Sequence, residues 1–492
     1  MKIQSHLNSN WNQRFKRFTF VAGILLALTT NARADDPRTN SWLTTYSGKY
    51  ARIYTSDTNK TNGTSVTTWG SGTTIQSTPA YCSVREVSSS ASWVYIRSSG
   101  LGSHTMGPWY ANAAHTMAFP NSPVNSKTLY RIPRAPATNG VHAQTGGGPI
   151  GYFVDGVAMF DSRDAFSWNG AGEVNGAGSW NRDAYVNESQ TFDPANAHQP
   201  GSGQYHYHAN PSALRYLLGD HMDMNSFSKN YTEATNAVTK HSPIIGWCRD
   251  GFPIYGPYGY SNATNPASGL RRMISGYTLR DGTFGTDNLT TAGRTAIPDW
   301  ATRAGETAQT GPTVNGTYPL GRYLEDKAYL GDLTNSLTSQ RYQQGVDFDL
   351  SEWNTRWCVT PEFTNGTWAY FTCITTNGTP AFPFNIGRTF MGNATGGAVA
   401  NIAETVTTNF VGAANSALVM AAPAISNNVV TLTWSATEGG TYRVEATGNL
   451  LTWTTNASGI TAVQNKGNST TANTGTNQFF RVTRTAIATY DP

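Results

Sequence analysis

Ile150-Gly-Tyr-Phe-Val-Asp-Gly-Val-Ala-Met-Phe160 aligns without gaps to Ile245-Gly-Trp-Cys-Arg-Asp-Gly-Phe-Pro-Ile-Tyr255. Both stretches place Asp-Gly between two apolar runs, a pattern typical of a tight turn between antiparallel strands. The sequence therefore predicts one β-hairpin used twice, in pseudo-symmetric halves with a site between them. Asp155 and Asp250 become candidates for the lining of a shared cleft, although turn aspartates commonly bind their own backbone.

A tyrosine- and histidine-rich stretch lies between the two repeats, in Gln204-Tyr-His-Tyr-His-Ala-Asn-Pro211. Alternate residues of a strand share a face, so His206 and His208 point one way while Tyr205 and Tyr207 point the other. Two imidazoles side by side provide half of a metal site, and the tyrosines are candidates for the neighbouring cleft surface.

Three of the nine histidines fall within eleven positions. The third is His198, which precedes His206 and His208 and is separated from them by a Pro-Gly-Ser-Gly turn. Such a turn can fold His198 back onto the pair, which makes it the expected third ligand. His104 and His241 are candidates for a fourth position, and Asp193 is a candidate carboxylate. Neutral imidazoles suit zinc and copper, whereas an added carboxylate admits iron.

Two classes of function remain open for this cluster. The first is a secreted metalloenzyme, a hydrolase or an oxidase, that acts on an extracellular substrate. The second is a non-catalytic protein that binds a metal or a glycan. No His-Glu-x-x-His helix motif, Gly-x-Ser-x-Gly elbow or phosphate-binding glycine loop occurs in the sequence.

Residues 1–34 are typical of a secretory signal peptide. Arg14, Lys16 and Arg17 precede an apolar run, and Ala32-Arg-Ala34 is a small-x-small cleavage pattern. The mature chain is expected in the periplasm, on the cell surface or outside the cell, with no transmembrane segment. Removing the five basic residues of the signal leaves 29 basic and 30 acidic residues, a balance that does not suggest a nucleic-acid partner.

Composition favours an all-β protein with irregular loops and few short helices, because only 13% of the residues are charged while Thr, Ser, Asn and Gly are abundant. We expect a β-rich segment at 35–118 packed on a main domain at 119–392. A linker is expected at 393–420, and an immunoglobulin- or fibronectin-like β-sandwich at 421–492.

The four cysteines lie in a chain that is expected in an oxidising compartment. Cys358 and Cys373 flank Thr364-Asn-Gly366, a turn signal that favours a hairpin with the two cysteines opposite each other. The sequence therefore predicts a Cys358–Cys373 disulfide.

A series of segments lies in order across about residues 100–392, namely Ser103–Trp109, Tyr130–Pro133, Ile150–Val157, Trp180–Tyr185, His198–Pro211, Pro243–Trp247, Asp250–Pro257, Gly331–Leu333 and Cys358–Tyr370. Together these segments resemble the YHYH-domain family. The resemblance implies a secreted protein and identifies the domain, but it implies no reaction. The C-terminal 70 or so residues look like small sandwich modules at the ends of secreted proteins from Verrucomicrobia and Planctomycetes.

Overall fold

The two repeated stretches form hairpins that lie side by side in one eight-stranded sheet. The strands are β1 (Gly151–Phe153), β2 (Ala158–Met159), β3 (Ala197–His198), β4 (His206–Tyr207), β5 (Ile244–Cys248), β6 (Pro253–Tyr255), β7 (Thr355–Cys358) and β8 (Thr367–Phe371). Their order in the sheet is β3-β4-β2-β1-β5-β6-β8-β7.

The computed structural model describes residues 36–138, 140–474, 478–488 and 490–492. The predicted signal peptide at 1–34 lies outside these residues. Strands dominate over helices, as the composition predicts, so the all-β class is confirmed.

The Asp-Gly pairs form the hairpin turns, as predicted. Gly156 and Gly251 have φ angles of 78° and 84°, a left-handed conformation that favours glycine. A Cβ atom at Gly156 would lie 2.2 Å from Ser98 Oγ, and one at Gly251 would lie 2.5 Å from Pro133 O. The prediction that the two hairpins are close in space is confirmed by the antiparallel pairing of β1 with β5.

The central sheet has internal two-fold pseudo-symmetry about the β1–β5 pair. Strand β4 runs parallel to β2 of the first hairpin, and β8 runs parallel to β6 of the second. An antiparallel edge strand completes each half, β3 beside β4 and β7 beside β8. The repeat in the sequence therefore marks two halves of one sheet.

A five-stranded antiparallel sheet joins residues distant in the chain, including two strands from the segment 393–420 that was predicted as a linker. Tyr130 and Val87 of this sheet share an apolar core with Phe153 and Trp247 of the central sheet. The order of the five strands is Gly397–Ala398, Thr128–Pro133, Trp93–Ser98, Val84–Ser89 and Thr407–Val411.

Smaller elements surround these sheets. A three-stranded sheet comprises Glu173–Asn175, Arg163–Trp168 and Trp180–Asp183. Six two-stranded pairs are Arg52–Ile53 with Thr105–Met106, Trp69–Ser71 with Thr74–Gln76, Met222–Met224 with Tyr231–Glu233, Tyr258–Asn262 with Asn265–Arg272, Tyr277–Leu279 with Lys327–Tyr329, and Thr334–Asn335 with Gln340–Arg341. The α-helices are Pro37–Asn40, Asp57–Asn62, Ala184–Glu188, Ser212–Leu217, Leu289–Ala292 and Asp299–Arg303, and the 3-10 helices are Ser189–Thr191, Leu324–Asp326, Leu330–Asp332 and Ala413–Asn415.

No helix in the described ranges has the length and apolar character that a bilayer span requires.

The C-terminal residues form two three-stranded antiparallel sheets. One joins Ala424–Ser426, Val429–Ser435 and Lys466–Ala472, and the other joins Thr454–Thr461, Thr441–Thr447 and Phe479–Ala486. Leu432 and Trp434 of the first sheet share an apolar cluster with Tyr442 and Val444 of the second. The assignment of 421–492 as a separate sandwich module stays a prediction, as do the other domain boundaries.

The predicted Cys358–Cys373 disulfide is wrong, because all four cysteines are unbonded and buried. The hairpin turn pairs Cys358 with Thr367. From there β8 continues to Phe371, which carries the chain about 13 Å away from Cys358 at the usual rise per residue. Cys373 instead lies beyond the strand, and its thiol donates to Asn354 Oδ1 at 3.0 Å.

Candidate metal centre

His198, His206 and His208 form one cluster, and each offers a ring nitrogen within 4.8 Å of the others. His198 lies directly opposite His206 in the antiparallel pair β3–β4, so both side chains are on the same face. The turn between them closes through a hydrogen bond from Gly203 N to Pro200 O at 2.9 Å. The predicted return of His198 onto the pair is therefore confirmed.

Each imidazole is oriented by a hydrogen bond at its Nδ1 atom. His206 Nδ1 lies 2.9 Å from the Gln204 carbonyl oxygen, and His208 Nδ1 lies 2.7 Å from that of Asp161. A carbonyl oxygen only accepts, so both Nδ1 atoms carry the proton and both Nε2 atoms present a lone pair. Such outer hydrogen bonds are the usual means of fixing histidine ligands around a metal.

His198 has the same arrangement through a side chain. Its Nδ1 lies 2.8 Å from Thr191 Oγ1, whose hydroxyl donates to the Glu188 carbonyl oxygen at 2.7 Å. Because the threonine proton is used there, Thr191 accepts from His198 and leaves the Nε2 lone pair free.

The close approach of the Nε2 atoms needs positive charge or a proton between them. His206 Nε2 and His208 Nε2 are 3.0 Å apart, a distance at which two lone pairs repel. Burial lowers the pKa of all three imidazoles, and the neighbouring histidines lower the pKa of His198 and His206 further. The cluster is therefore poised to remain neutral and to bind a metal ion.

Glu188 adds a carboxylate to the three histidines. Its Oε2 atom lies 3.3 Å from His208 Nε2 and 3.8 Å from His198 Nε2. This oxygen is buried and has no hydrogen-bond partner in the part of the chain that the structure describes. Burial raises the pKa of Glu188 to about 7.

A short helix places Glu188. The helix Ala184–Glu188 begins after Asp183, whose carboxylate accepts from Val186 N at 3.0 Å and caps it. Lys327 Nζ holds the same carboxylate from the other side at 2.7 Å. The 3-10 turn Ser189–Thr191 follows at once, so one continuous segment supplies both the carboxylate and the hydroxyl that orients His198.

The cluster lies at the wall of a cavity of about 290 Å³. Phe160 stacks on His206 with ring centroids 3.8 Å apart, and Phe119 lies 6.0 Å from His198. Gly146 and Gly147 are exposed at the rim, where a Cβ atom would meet no neighbour within 4 Å. The site is therefore concave, mainly apolar and open to solvent on one side. A larger cavity of about 680 Å³ lies elsewhere and is lined by no histidine, cysteine or carboxylate.

The structure does not bring His104 and His241 to the cluster, although both were candidates for a fourth position. His104 Nε2 lies 3.1 Å from Tyr205 Oη, on the opposite face of β4. His241 packs against Tyr255 and Phe371 in the second half of the sheet. The fourth donor beside the histidines is a carboxylate instead.

The cleft candidates lie in the interior. Asp155 and Asp250 are fully buried in their turns, where Val157 N and Phe252 N donate to them. The turn aspartates thus bind their own backbone and do not line a shared cleft.

Asp193, Tyr205 and Tyr207 are also buried, behind the histidines. Asp193 accepts from Tyr205 Oη at 2.7 Å and from Gly107 N at 2.9 Å. These groups support the loop that carries the cluster and have no direct contact with its cavity.

Sequence reasoning missed Glu188 and Thr191. Glu188 stands ten residues before His198 in the chain, and its local pattern does not distinguish it from a surface glutamate. The one available signal was Asp183, a helix-capping residue that marks the start of the short helix.

Comparison with known proteins identifies a family. A family model described as YHYH protein matches residues 129–385, slightly more than half of the chain, and this range contains the whole histidine cluster. Neither the curated proteins nor the solved structures give a match.

Proposed function

The chain belongs to the YHYH protein family, and we propose that its histidine cluster is a transition-metal centre of a secreted hydrolase. The observation that carries this proposal is the convergence of ring nitrogens from three histidines, each with its Nδ1 atom beside an acceptor, at the wall of an open cavity. Three protein ligands with one open direction are the usual arrangement of catalytic zinc sites.

Zinc or copper fits the three neutral imidazoles, and we propose zinc first because hydrolysis needs no redox change of the ion. The carboxylate of Glu188 widens the choice to iron, which commonly takes histidines together with a carboxylate. The experiment therefore compares zinc, copper and iron.

The chain's own groups supply the rest of the chemistry. A bound zinc ion would acidify a water molecule and polarise a substrate oxygen. Glu188 Oε2 stands at the edge of the cluster and is placed to accept a proton from a water at the open position. Phe119 and Phe160 provide apolar surface against which a substrate can lie and which excludes bulk water.

A non-catalytic role in metal or glycan binding is the competing proposal. A purely structural metal site would be closed, with no cavity beside its ligands. The cavity at this cluster favours catalysis. The substrate is an extracellular molecule that can place one of its groups in the cavity, beside the histidines.

Export belongs to the same proposal and rests on the signal-like residues 1–34. N-terminal sequencing of the exported protein is expected to begin at Asp35. A mature protein that retains the first 34 residues would contradict export by cleavage.

The experiment is a screen of the purified protein against ester, phosphoester, peptide and glycoside substrates. It uses metal-depleted protein and protein reconstituted with zinc, copper or iron. We expect turnover in one reconstituted form and its loss in Glu188→Gln with metal retained. The exposed Glu404→Gln is the matched control and keeps activity. Loss of metal from Glu188→Gln would assign Glu188 as a ligand, and metal retention without turnover of any substrate would favour the binding role.

A further inference from the structure

A second cavity, of about 220 Å³, lies behind the histidine cluster. His104 lines it and contacts Tyr205, whose side chain points away from the face that carries His206. The cavity is therefore separate from the candidate metal centre. It is smaller than the pockets that hold drug-sized ligands, so it has room for a small molecule or for a single unit of a larger one.

Positive charge dominates this cavity. Lys49 and Lys229 line it, and no aspartate or glutamate does. Neither lysine has a carboxylate within ion-pair distance among the described residues. Lys49 is half-buried, and its ammonium contacts only the Ser103 carbonyl oxygen at 3.4 Å and the Tyr46 ring at 5.8 Å. Burial lowers the pKa of Lys49, and this effect outweighs the opposing effect of the Glu438 carboxylate, which pairs with Arg52.

Unused hydrogen-bonding groups accompany the lysines. Ser103 lines the cavity and is 1% exposed, yet its hydroxyl has no hydrogen-bond partner in the described chain. A buried hydroxyl without a partner destabilises the folded state, and a ligand oxygen would supply the missing hydrogen bond. The site thus offers an unused donor in a cavity that two lysines line, and the Lys229 ammonium donates to the Ser226 carbonyl oxygen of its own turn.

Four tyrosines complete the wall of the cavity. They add aromatic surface, which a bare ion would not use. Tyr46, Tyr54, Tyr216 and Tyr231 combine ring faces with hydroxyl groups, and Tyr216 and Tyr231 pack with ring centroids 5.7 Å apart. Tyrosine presents an apolar body and a polar tip, a combination that suits a molecule with both a ring and hydroxyl groups.

We propose that this cavity binds a sugar unit that carries an oxyanion, with Lys49 and Lys229 holding the charged group and the tyrosines holding the ring. The charged group has two possible sources, the carboxylate of a uronic acid and the sulfate ester of a neutral sugar. Both present oxygen acceptors to the two ammoniums and to the Ser103 hydroxyl.

The test is calorimetric titration of the purified protein with galacturonate, galactose 6-sulfate, galactose and inorganic sulfate. At least one of the two charged sugars is expected to bind ten-fold or more tightly than both galactose and inorganic sulfate, and which one binds identifies the source of the charge. Lys49→Gln and Lys229→Gln are each expected to weaken that binding by ten-fold or more. The exposed Lys466→Gln removes the same charge elsewhere and leaves binding unchanged.

Binding of galactose or of sulfate as tight as that of the charged sugars would overturn the proposal, and so would failure of both charged sugars to bind. Unchanged binding in the lysine variants would overturn it as well. Melting temperatures show whether each variant is folded. If Lys49→Gln unfolds, Lys229→Gln on the surface turn decides the outcome.

Discussion

Tyr207 and Tyr370 occupy equivalent positions in the two halves of the central sheet. Tyr207 pairs with Met159 and Tyr370 pairs with Ile254, which are matching residues of the repeated hairpin. The same equivalence sets Ala369 and Phe371 where the first half has His206 and His208. The histidine cluster therefore lies in one half of the pseudo-symmetric sheet.

The two tyrosines form a matched pair for measuring one buried hydrogen bond. Tyr370 Oη donates to Asp250 Oδ2 at 2.6 Å and accepts from Met391 N at 2.7 Å. Tyr207 Oη lies near the Asp155 carboxyl but makes no hydrogen bond of normal geometry within the described ranges. Tyr370→Phe is expected to lower the free energy of unfolding by about 1–3 kcal/mol, measured by denaturant titration, because it leaves buried polar groups unpaired. Tyr207→Phe should cost clearly less, and equal losses would contradict the assigned hydrogen bonds.

Asp155 should make stability depend on pH. Burial raises the pKa of this carboxyl to about 7, against about 4 in an unfolded chain. Between these values the folded state binds more protons, so stability falls as the pH rises from about 4 and the loss is complete above about 7. Asp155→Asn removes this loss, and its free energy of unfolding relative to wild type should rise between pH 5 and pH 8 by about 2–3 kcal/mol.

The exposed Asp223→Asn serves as the control for Asp155→Asn, because its carboxyl lies on the surface. Its difference from wild type should stay constant over the same pH range. A constant difference for Asp155→Asn as well would mean that the carboxyl is ionised throughout.

Thr191 should influence metal affinity through His198. Thr191→Val keeps the shape of the side chain but removes the oxygen that accepts from His198 Nδ1. Loss of such an outer hydrogen bond commonly lowers metal affinity by about 10–100-fold. Competition with a chelator measures the change, and Thr302→Val at an exposed position is the control. An affinity equal to that of wild type would show that Thr191 does not orient the ring.

The cysteines should all titrate as thiols. The unfolded protein is expected to give four reactive thiols without added reductant, whereas the folded protein gives almost none because all four are buried. The melting temperature should not respond to reductant. A count of two thiols would show that one disulfide is present, which would contradict the four unbonded cysteines of the structure.

Local patterns predicted the hairpins and the face of the histidines. The Asp-Gly turns and the period-two alternation in residues 205–208 act between neighbours in the chain, so the sequence alone carries them. The prediction of the disulfide was wrong for a related reason. The turn at Asn365-Gly366 fixes the register, and Cys358 meets Thr367 rather than a residue six positions further on.

The rest of the site depends on contacts between distant segments. Glu188 reaches the histidines because the short helix that it ends packs against the strand Arg163–Trp168, and the Asp183 cap marks the helix but not the role of Glu188. His208 is oriented by the carbonyl oxygen of Asp161, a backbone group that any residue could supply. The same limitation explains why His104 and His241 could not be told apart from true neighbours of the cluster.

Metal analysis of the purified wild-type protein and of His206→Ala/His208→Ala tests the central claim most directly. The Nε2 atoms of these two residues lie 3.0 Å apart, and both are buried in the cluster. We predict close to one equivalent of a transition metal in the wild type and almost none in the double variant, with the variant still folded by circular dichroism. Equal metal content in both proteins, or none in the wild type after incubation with zinc, copper or iron, would contradict the account.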